Sequence, residues 1–229
     1  DFEESSSYAW KSRGLGTKFL LVPLNSKTII DGSITYSNYF IEQKETNDQP
    51  RSSGINGYSV NLNFSRFFNG LDKLKYGLEM NGFRTEFQIY NSSNRRITQY
   101  ENTSEINAFV NYLKNINKKL LLEGGLRLQR YASLSETTLE PRLRMKYNFN
   151  TRWRFKASAG LYSQNLMSAV SDRDVVNLFY GFLSGPDDLP KTFLGKPVES
   201  KLQKARHAVA GFEFDINSIS EINVEGYIK

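Results

Sequence analysis

"LEPRLRMKYNFNTRWRFKASAGLYSQNL" runs from Leu139 to Leu166 and alternates between two kinds of side chain. Leu139, Pro141, Leu143, Met145, Tyr147 and Phe149 hold one phase, while Glu140, Arg142, Arg144, Lys146 and Asn148 hold the other. Past the polar pair Asn150 and Thr151, Trp153, Phe155, Ala157, Ala159 and Leu161 alternate with Arg152, Arg154, Lys156, Ser158 and Tyr162. Successive side chains of a strand point to opposite faces, so the stretch predicts a hairpin with one apolar face and one face bearing six cations.

The same period continues outward in both directions. Tyr58, Val60, Leu62 and Phe64 are opposed by Ser59, Asn61, Asn63 and Ser65, and Ala208, Ala210, Phe212 and Phe214 by Glu213 and Asp215. Ten strands follow, at roughly 16–24, 28–42, 57–67, 74–88, 104–114, 119–131, 137–148, 152–163, 207–216 and 221–229, and the helical period is nowhere sustained. The connections alternate in length. Asn25 to Lys27, Phe68 to Lys73, Asn115 to Lys118, Phe149 to Thr151 and Asn217 to Ser220 read as tight turns rich in Asn, Ser, Gly and Lys. Gln43 to Asn56, Ile89 to Thr103, Ala132 to Glu136 and Ser163 to Arg206 read as longer loops. Short turns at one end, long loops at the other and strands of about 9–11 residues or more predict an antiparallel transmembrane β-barrel segment with the long loops extracellular. The apolar face then meets lipid, and Arg142, Arg144, Lys146, Arg152, Arg154 and Lys156 line a lumen. There they either steer an anionic substrate or pair with acids of a plug or of neighbouring strands; the need of buried charge for partners favours pairing. Tyr147, Phe149, Trp153, Phe67 and Phe68 would form an interfacial girdle at the short-turn end.

The alternative from another class is a soluble β-sandwich that binds glycans or anionic polymers through its Tyr, Asn and Arg surface. Strand length and loop asymmetry favour the barrel.

Composition narrows the chemistry. The 229 residues include 30 basic and 24 acidic side chains, a net charge of +6, but the two signs are interspersed, unlike the clustered footprint of a nucleic-acid binder. There is no cysteine, hence no disulfide and no thiolate chemistry, and His207 is the only histidine. No G-x-S-x-G elbow accompanies it, so His207 reads as a plain polar side chain and no catalytic residue is expected. "GPDDLP", Gly185 to Pro190, offers two carboxylates, Asp187 and Asp188, where Ca²⁺ takes six or more oxygens, and it reads as a turn. No metal or cofactor is expected. The mean hydropathy of −0.52 is no argument against a membrane barrel, whose alternating strands average to polar.

Binding residues concentrate on loops, so the substrate-contact candidates are Asp172, Arg173, Asp174, Asn177 and Tyr180 in the longest connection and Arg95, Arg96 and Tyr100 in another. Each competes with a plainer reading as a turn cap or a loop-internal ion pair.

The long connection resembles a known family. Ser163, Gln164, Asn165 and Leu166, then Ser171 through Tyr180, then Leu202, Gln203, Lys204 and Ala205, are similar to the barrel of Bacteroidetes-type TonB-dependent receptors, as are "RLQRYASLSETTLEPRLRMKYNF" and "SSGINGYSVNLNF". The resemblance covers essentially residues 1–229 and implies about ten of the 22 or so up-and-down strands of such a barrel, in the bacterial outer membrane. It implies a nutrient importer with no enzymatic activity. Its ligand would be a small molecule, glycan or peptide bound at the extracellular face, and import would be powered through TonB. TonB would contact an N-terminal plug, which these residues do not contain. The resemblance also leaves a place for a surface lipoprotein partner. The chain ends within an alternating run at Lys229, which reads as a fragment of a longer barrel.

Overall fold

The computed structural model describes residues 6–45, 49–68, 72–91, 93–117, 119–168, 182–184, 192–193, 195–197, 200 and 202–229. They form fourteen strands, with no helix among the described residues: β1 (Ser6–Leu21), β2 (Thr28–Glu45), β3 (Arg51–Phe67), β4 (Lys73–Tyr90), β5 (Arg96–Asn115), β6 (Leu120–Tyr131), β7 (Glu136–Asn148), β8 (Trp153–Gln164), β9 (Leu166–Ser168), β10 (Phe182–Ser184), β11 (Thr192–Phe193), β12 (Lys196–Pro197), β13 (Gln203–Asp215) and β14 (Glu221–Ile228). Ten of them, β1 to β8 with β13 and β14, make a single antiparallel up-and-down sheet in sequence order; β9 pairs with β10 and β11 with β12 in two short ribbons. The all-β sheet of ten antiparallel up-and-down strands expected from the alternation, a barrel segment, is the one observed, with β1 and β14 as its edges. A β-sandwich is not, because the ten long strands belong to one sheet rather than to two packed face to face.

Register places the apolar phase of every strand on the same side. Ile30 pairs with Phe64, Phe64 with Tyr76, Tyr76 with Val110 and Val110 with Leu126. Farther along, Leu120 pairs with Tyr147, Tyr147 with Phe155, Phe155 with Phe212 and Phe212 with Val224. A one-residue slip would turn a strand's whole apolar set to the other face, so these rows fix the register. The face is bare: Leu15 is 79% exposed, Leu78 58%, Leu143 58% and Val224 66%. The accessible surface is 16401 Å², whereas a folded soluble monomer of 26.3 kDa would show about 10,600 Å². The excess is that of an open sheet whose apolar face has no protein partner among the described residues.

Aromatic rings mark both borders of this band. At one border Phe64 stacks on Tyr76 at 5.1 Å, Tyr147 meets Phe149 edge-on at 4.9 Å, and Trp153 lies 4.5 Å from Phe214. Toward the other, Tyr36 faces Tyr58 across β2 and β3. On β3 the band runs from Tyr58 to Phe64, about 20 Å of strand, before Arg66 ends it. Two glycines on this face accept rings, Phe19 over Gly32 and Tyr58 over Gly82, where a Cβ would collide.

Four strands begin or end well outside the expected limits, and two expected loops are mostly strand. β1 starts at Ser6, β2 continues to Glu45, β3 starts at Arg51 and β5 at Arg96, so most of Gln43–Asn56 and Ile89–Thr103 lies within strands. Ala132 to Ser135 is a four-residue turn. Length asymmetry therefore resides in the strands, which overshoot the band at that end, and in the connection 165–202. The physical reason is that hydrophobic alternation reports a contrast between two environments. Beyond the band the two faces no longer contrast, as in "RSSGIN" and "RITQYENT", where polar residues dominate both, and the backbone ladder continues without that signal.

Asparagine closes the turns in one recurring way. The side-chain oxygens of Asn91, Asn117, Asn150 and Asn217 each accept two backbone N–H groups a few residues on, at 2.8–3.0 Å. The β3–β4 turn uses Asp72 instead: its carboxylate accepts from Lys114 Nζ at 2.7 Å, the Asn115 N–H at 2.8 Å and the Tyr112 hydroxyl at 3.3 Å. The Lys114 hydrogen bond, seconded by the Asn115 N–H, holds the Asp72 pKa below its ordinary value. A depressed carboxylate stabilises the fold above its unfolded pKa, and that contribution disappears as pH falls through the folded value. Asp72→Asn should therefore melt below wild type at neutral pH, and the gap should close in strong acid. Melting curves of the two proteins across that range check it, and a gap independent of pH would refute the assignment.

Candidate functional site

The polar face is the candidate site, and charge is paired across it strand by strand. Glu79 of β4 and Arg127 of β6 meet at 3.1 Å, passing over β5, and Asn107 lies beneath with 1% exposure. Arg142 contacts Glu140 at 2.8 Å and Arg144 contacts Glu123 at 3.7 Å. Arg154 holds three carboxylates at once, Glu213 at 2.8 Å, Asp215 at 2.6 Å and Glu221 at 2.7 Å, and Lys156 pairs with Glu213 from the other side. This last cluster ties β8, β13 and the start of β14 into one unit.

The most enclosed part of the face is a hydrogen-bonded cluster around Glu140, which is 3% exposed. Its Oε1 accepts from the Ser163 N–H at 2.8 Å and from the Ser163 hydroxyl at 2.6 Å, and its Oε2 accepts from Arg142. Ser163 Oγ also lies 2.9 Å from the Tyr131 hydroxyl and 2.8 Å from Thr138 Oγ1. Tyr131 is fully buried. A buried carboxylate saturated this way is a rigid structural group, with its lone pairs committed to the protein.

The described parts of the connection between β8 and β13 contact this side of the sheet. Asn165, 2% exposed, donates to Thr103 Oγ1 at 3.3 Å, and Ser200 donates to Glu136 at 2.8 Å. The β10 backbone lies against β3, β4 and β5. Around it Ser53, Thr85 and Thr103, all of the polar phase, are buried, while Tyr58, Ile106 and Tyr100 of the opposite phase stay exposed. The described parts of the connection thus lie on the polar side.

Five of the six expected lumenal cations, Arg142, Arg144, Lys146, Arg154 and Lys156, share this face; Arg152 sits instead in the β7–β8 turn, where its carbonyl accepts the Asp215 N–H. Among the described residues Lys146 makes no hydrogen bond or ion pair. It borders a hollow of about 460 Å³ with Glu123, Arg144 and Lys156. Arg95 lies in the β4–β5 turn, Arg96 opens β5, and Tyr100 stands in β5 on the apolar-phase side beneath the Arg84 guanidinium at 5.3 Å, so these three do not converge with the lumenal cations. Asp172, Arg173, Asp174, Asn177, Tyr180, Asp187 and Asp188 lie outside the described residues. His207 pairs with Gly160 and its ring sits 5.1 Å from that of Tyr162, next to Arg142. The alternation did not single out Glu140 and Glu213 as the buried anions of the face. Their signal was phase: each stands on the same side of the sheet as a cation it pairs with.

No family model matches the chain, and no curated protein does. Solved structures do. The copper transporter OprC superposes with a TM-score of 0.63 at 14% identity over 95% of this chain and 38% of its own. The ferric yersiniabactin uptake receptor FyuA from Yersinia pestis gives 0.63 at 9% identity over 97% and 35%. The ferric citrate transporter FecA gives 0.56 at 12% identity over 91% and 33%. The chain thus spans little more than a third of the length of the proteins it matches, and what it shares with them is the fold of an outer-membrane β-barrel.

Proposed function

We propose that these strands belong to an outer-membrane receptor that binds a nutrient at its extracellular face and imports it with energy coupled through TonB, without covalent chemistry. The observation that carries this reading is the pairing of faces: a register-matched apolar band between aromatic borders on one side, and on the other a charge-paired surface against which the described parts of a long connection lie. An apolar face needs lipid, and a polar opposite face suits a water-filled or plugged lumen. The transporters and receptors with the same sheet support a transport role, and the resemblance of residues 163–205 to Bacteroidetes-type receptors supports the TonB-coupled kind. In this reading TonB acts through a plug outside these residues. The substrate is a small molecule, glycan or peptide, and a surface lipoprotein is a candidate partner.

The test is fractionation of the full-length protein, gel migration with and without boiling, and then uptake in cells with and without TonB. Outer-membrane sedimentation, a compact heat-sensitive band and TonB-dependent uptake are expected. A soluble monomer with no heat-dependent shift would remove the membrane role, and uptake indifferent to TonB would remove the coupling.

A further inference from the structure

One row of the sheet stands directly beyond the Tyr36–Tyr58 border on the lipid-facing phase. Arg13 pairs with Asn38, Asn38 with Asn56, Asn56 with Arg84 and Arg84 with Asn102, so a single hydrogen-bonded row crosses β1 to β5. Lys11 lies two residues farther out on β1, on the same phase. Arg13, Lys11 and Arg84 are exposed, and none of the three makes an ion pair among the described residues. In the next row Glu86 carries the only negative charge, and Gln88 Nε2 donates to it. The two amides between the arginines are ordered: Asn38 Nδ2 donates to Asn56 Oδ1, which the Tyr36 hydroxyl also reaches at 3.4 Å. The Tyr100 ring buttresses the Arg84 guanidinium.

These groups cannot serve the lumen, because they project from the opposite face. Their height, one row above the aromatic border, is that of the lipid headgroups. Three strand spacings of about 4.8 Å separate Arg13 from Arg84, so the row presents two guanidinium forks about 14 Å apart with amide donors between them. Planar guanidinium forks match phosphate oxygens, and with no counter-ion among the described residues their charge is left for an external anion. We propose that Arg13, Asn38, Asn56 and Arg84 form a binding site on the lipid-facing wall for the phosphorylated headgroup of the surrounding outer-leaflet lipid. The inference rests on the outer-membrane reading.

The experiment compares the full-length protein with its Arg13→Gln/Arg84→Gln double variant. Each is titrated in neutral-detergent micelles with bis-phosphorylated lipid A, with its dephosphorylated form and with inorganic phosphate, and bound lipid is counted by native mass spectrometry. An arginine near an anionic lipid surface contributes about fivefold in affinity, so the double variant should bind lipid A roughly 25-fold more weakly. Both proteins should keep the heat-sensitive compact band, since neither side chain makes an ion pair among the described residues. Equal binding of phosphorylated and dephosphorylated lipid, or undiminished binding by the variant, overturns the site. Displacement of lipid A by inorganic phosphate at equal concentration assigns it to free anions and overturns the lipid. Loss of the compact band in wild type overturns the outer-membrane reading itself and the site with it.

Discussion

Leu143→Arg is expected to abolish assembly of the barrel into membrane. Leu143 is 58% exposed in the middle of the apolar phase of β7, between Leu139 and Pro141 on one side and Met145 and Tyr147 on the other. Its register partners are Gly124 and Ala159, so no long neighbour shields an introduced guanidinium, and both aromatic borders lie several residues away. A cation at that depth costs about 2–4 kcal/mol, a large share of the net stability of a folded domain. The expected result is loss of the heat-sensitive compact band and retention in the unfolded or aggregated fraction. The adjacent exchange Arg144→Leu is the internal control: Arg144 is on the polar face, its side chain is 62% exposed, and its contact with Glu123 is long, at 3.7 Å. That variant should assemble normally. Normal assembly of Leu143→Arg would refute the assignment of the apolar face to lipid, whatever the behaviour of Arg144→Leu.

The contrast between adjacent residues shows what kind of information the sequence holds. Tyr58, Val60, Leu62 and Phe64 could be assigned to one face without coordinates because lipid and water impose opposite demands on alternate residues. Arg96 to Thr103 could not be assigned to a strand, because beyond the band no such demand exists and a backbone ladder leaves no trace in hydropathy. Register is illegible for the same reason. That Arg13, Asn38, Asn56 and Arg84 fall in one row depends on three successive strand pairings, and no single stretch of chain encodes them. The polar face was half legible. Its cations stood out by their number, but their partners come from other strands, as Glu213 and Glu221 do for Arg154, and such pairs need the fold before they can be named. The substrate candidates of the long connection, Asp172 to Tyr180, remain a sequence expectation, since they lie outside the described residues.

Glu140 is where removal of one polar group should cost the most. Glu140→Ala would strip the Ser163 N–H and hydroxyl of their acceptor and leave Arg142, whose side chain is 28% exposed, without its only ion pair among the described residues. Tyr131 and Thr138 share that serine hydroxyl, so the loss reaches three strands, β6, β7 and β8. Breaking a buried charged pair from one side costs about 3–5 kcal/mol, most of it the penalty of the groups left behind. The expected result is a compact band that melts at clearly lower temperature or urea concentration than wild type. Glu140→Gln should fall between the two, since the amide carbonyl can still accept from Ser163 but no longer balances Arg142. Adding Arg142→Gln to Glu140→Gln should then restore part of the loss, because the orphaned cation is gone. If Glu140→Ala melts with wild type, the cluster does not brace these strands. If the double variant is no more stable than Glu140→Gln alone, the penalty lies with Ser163 and not with the charge.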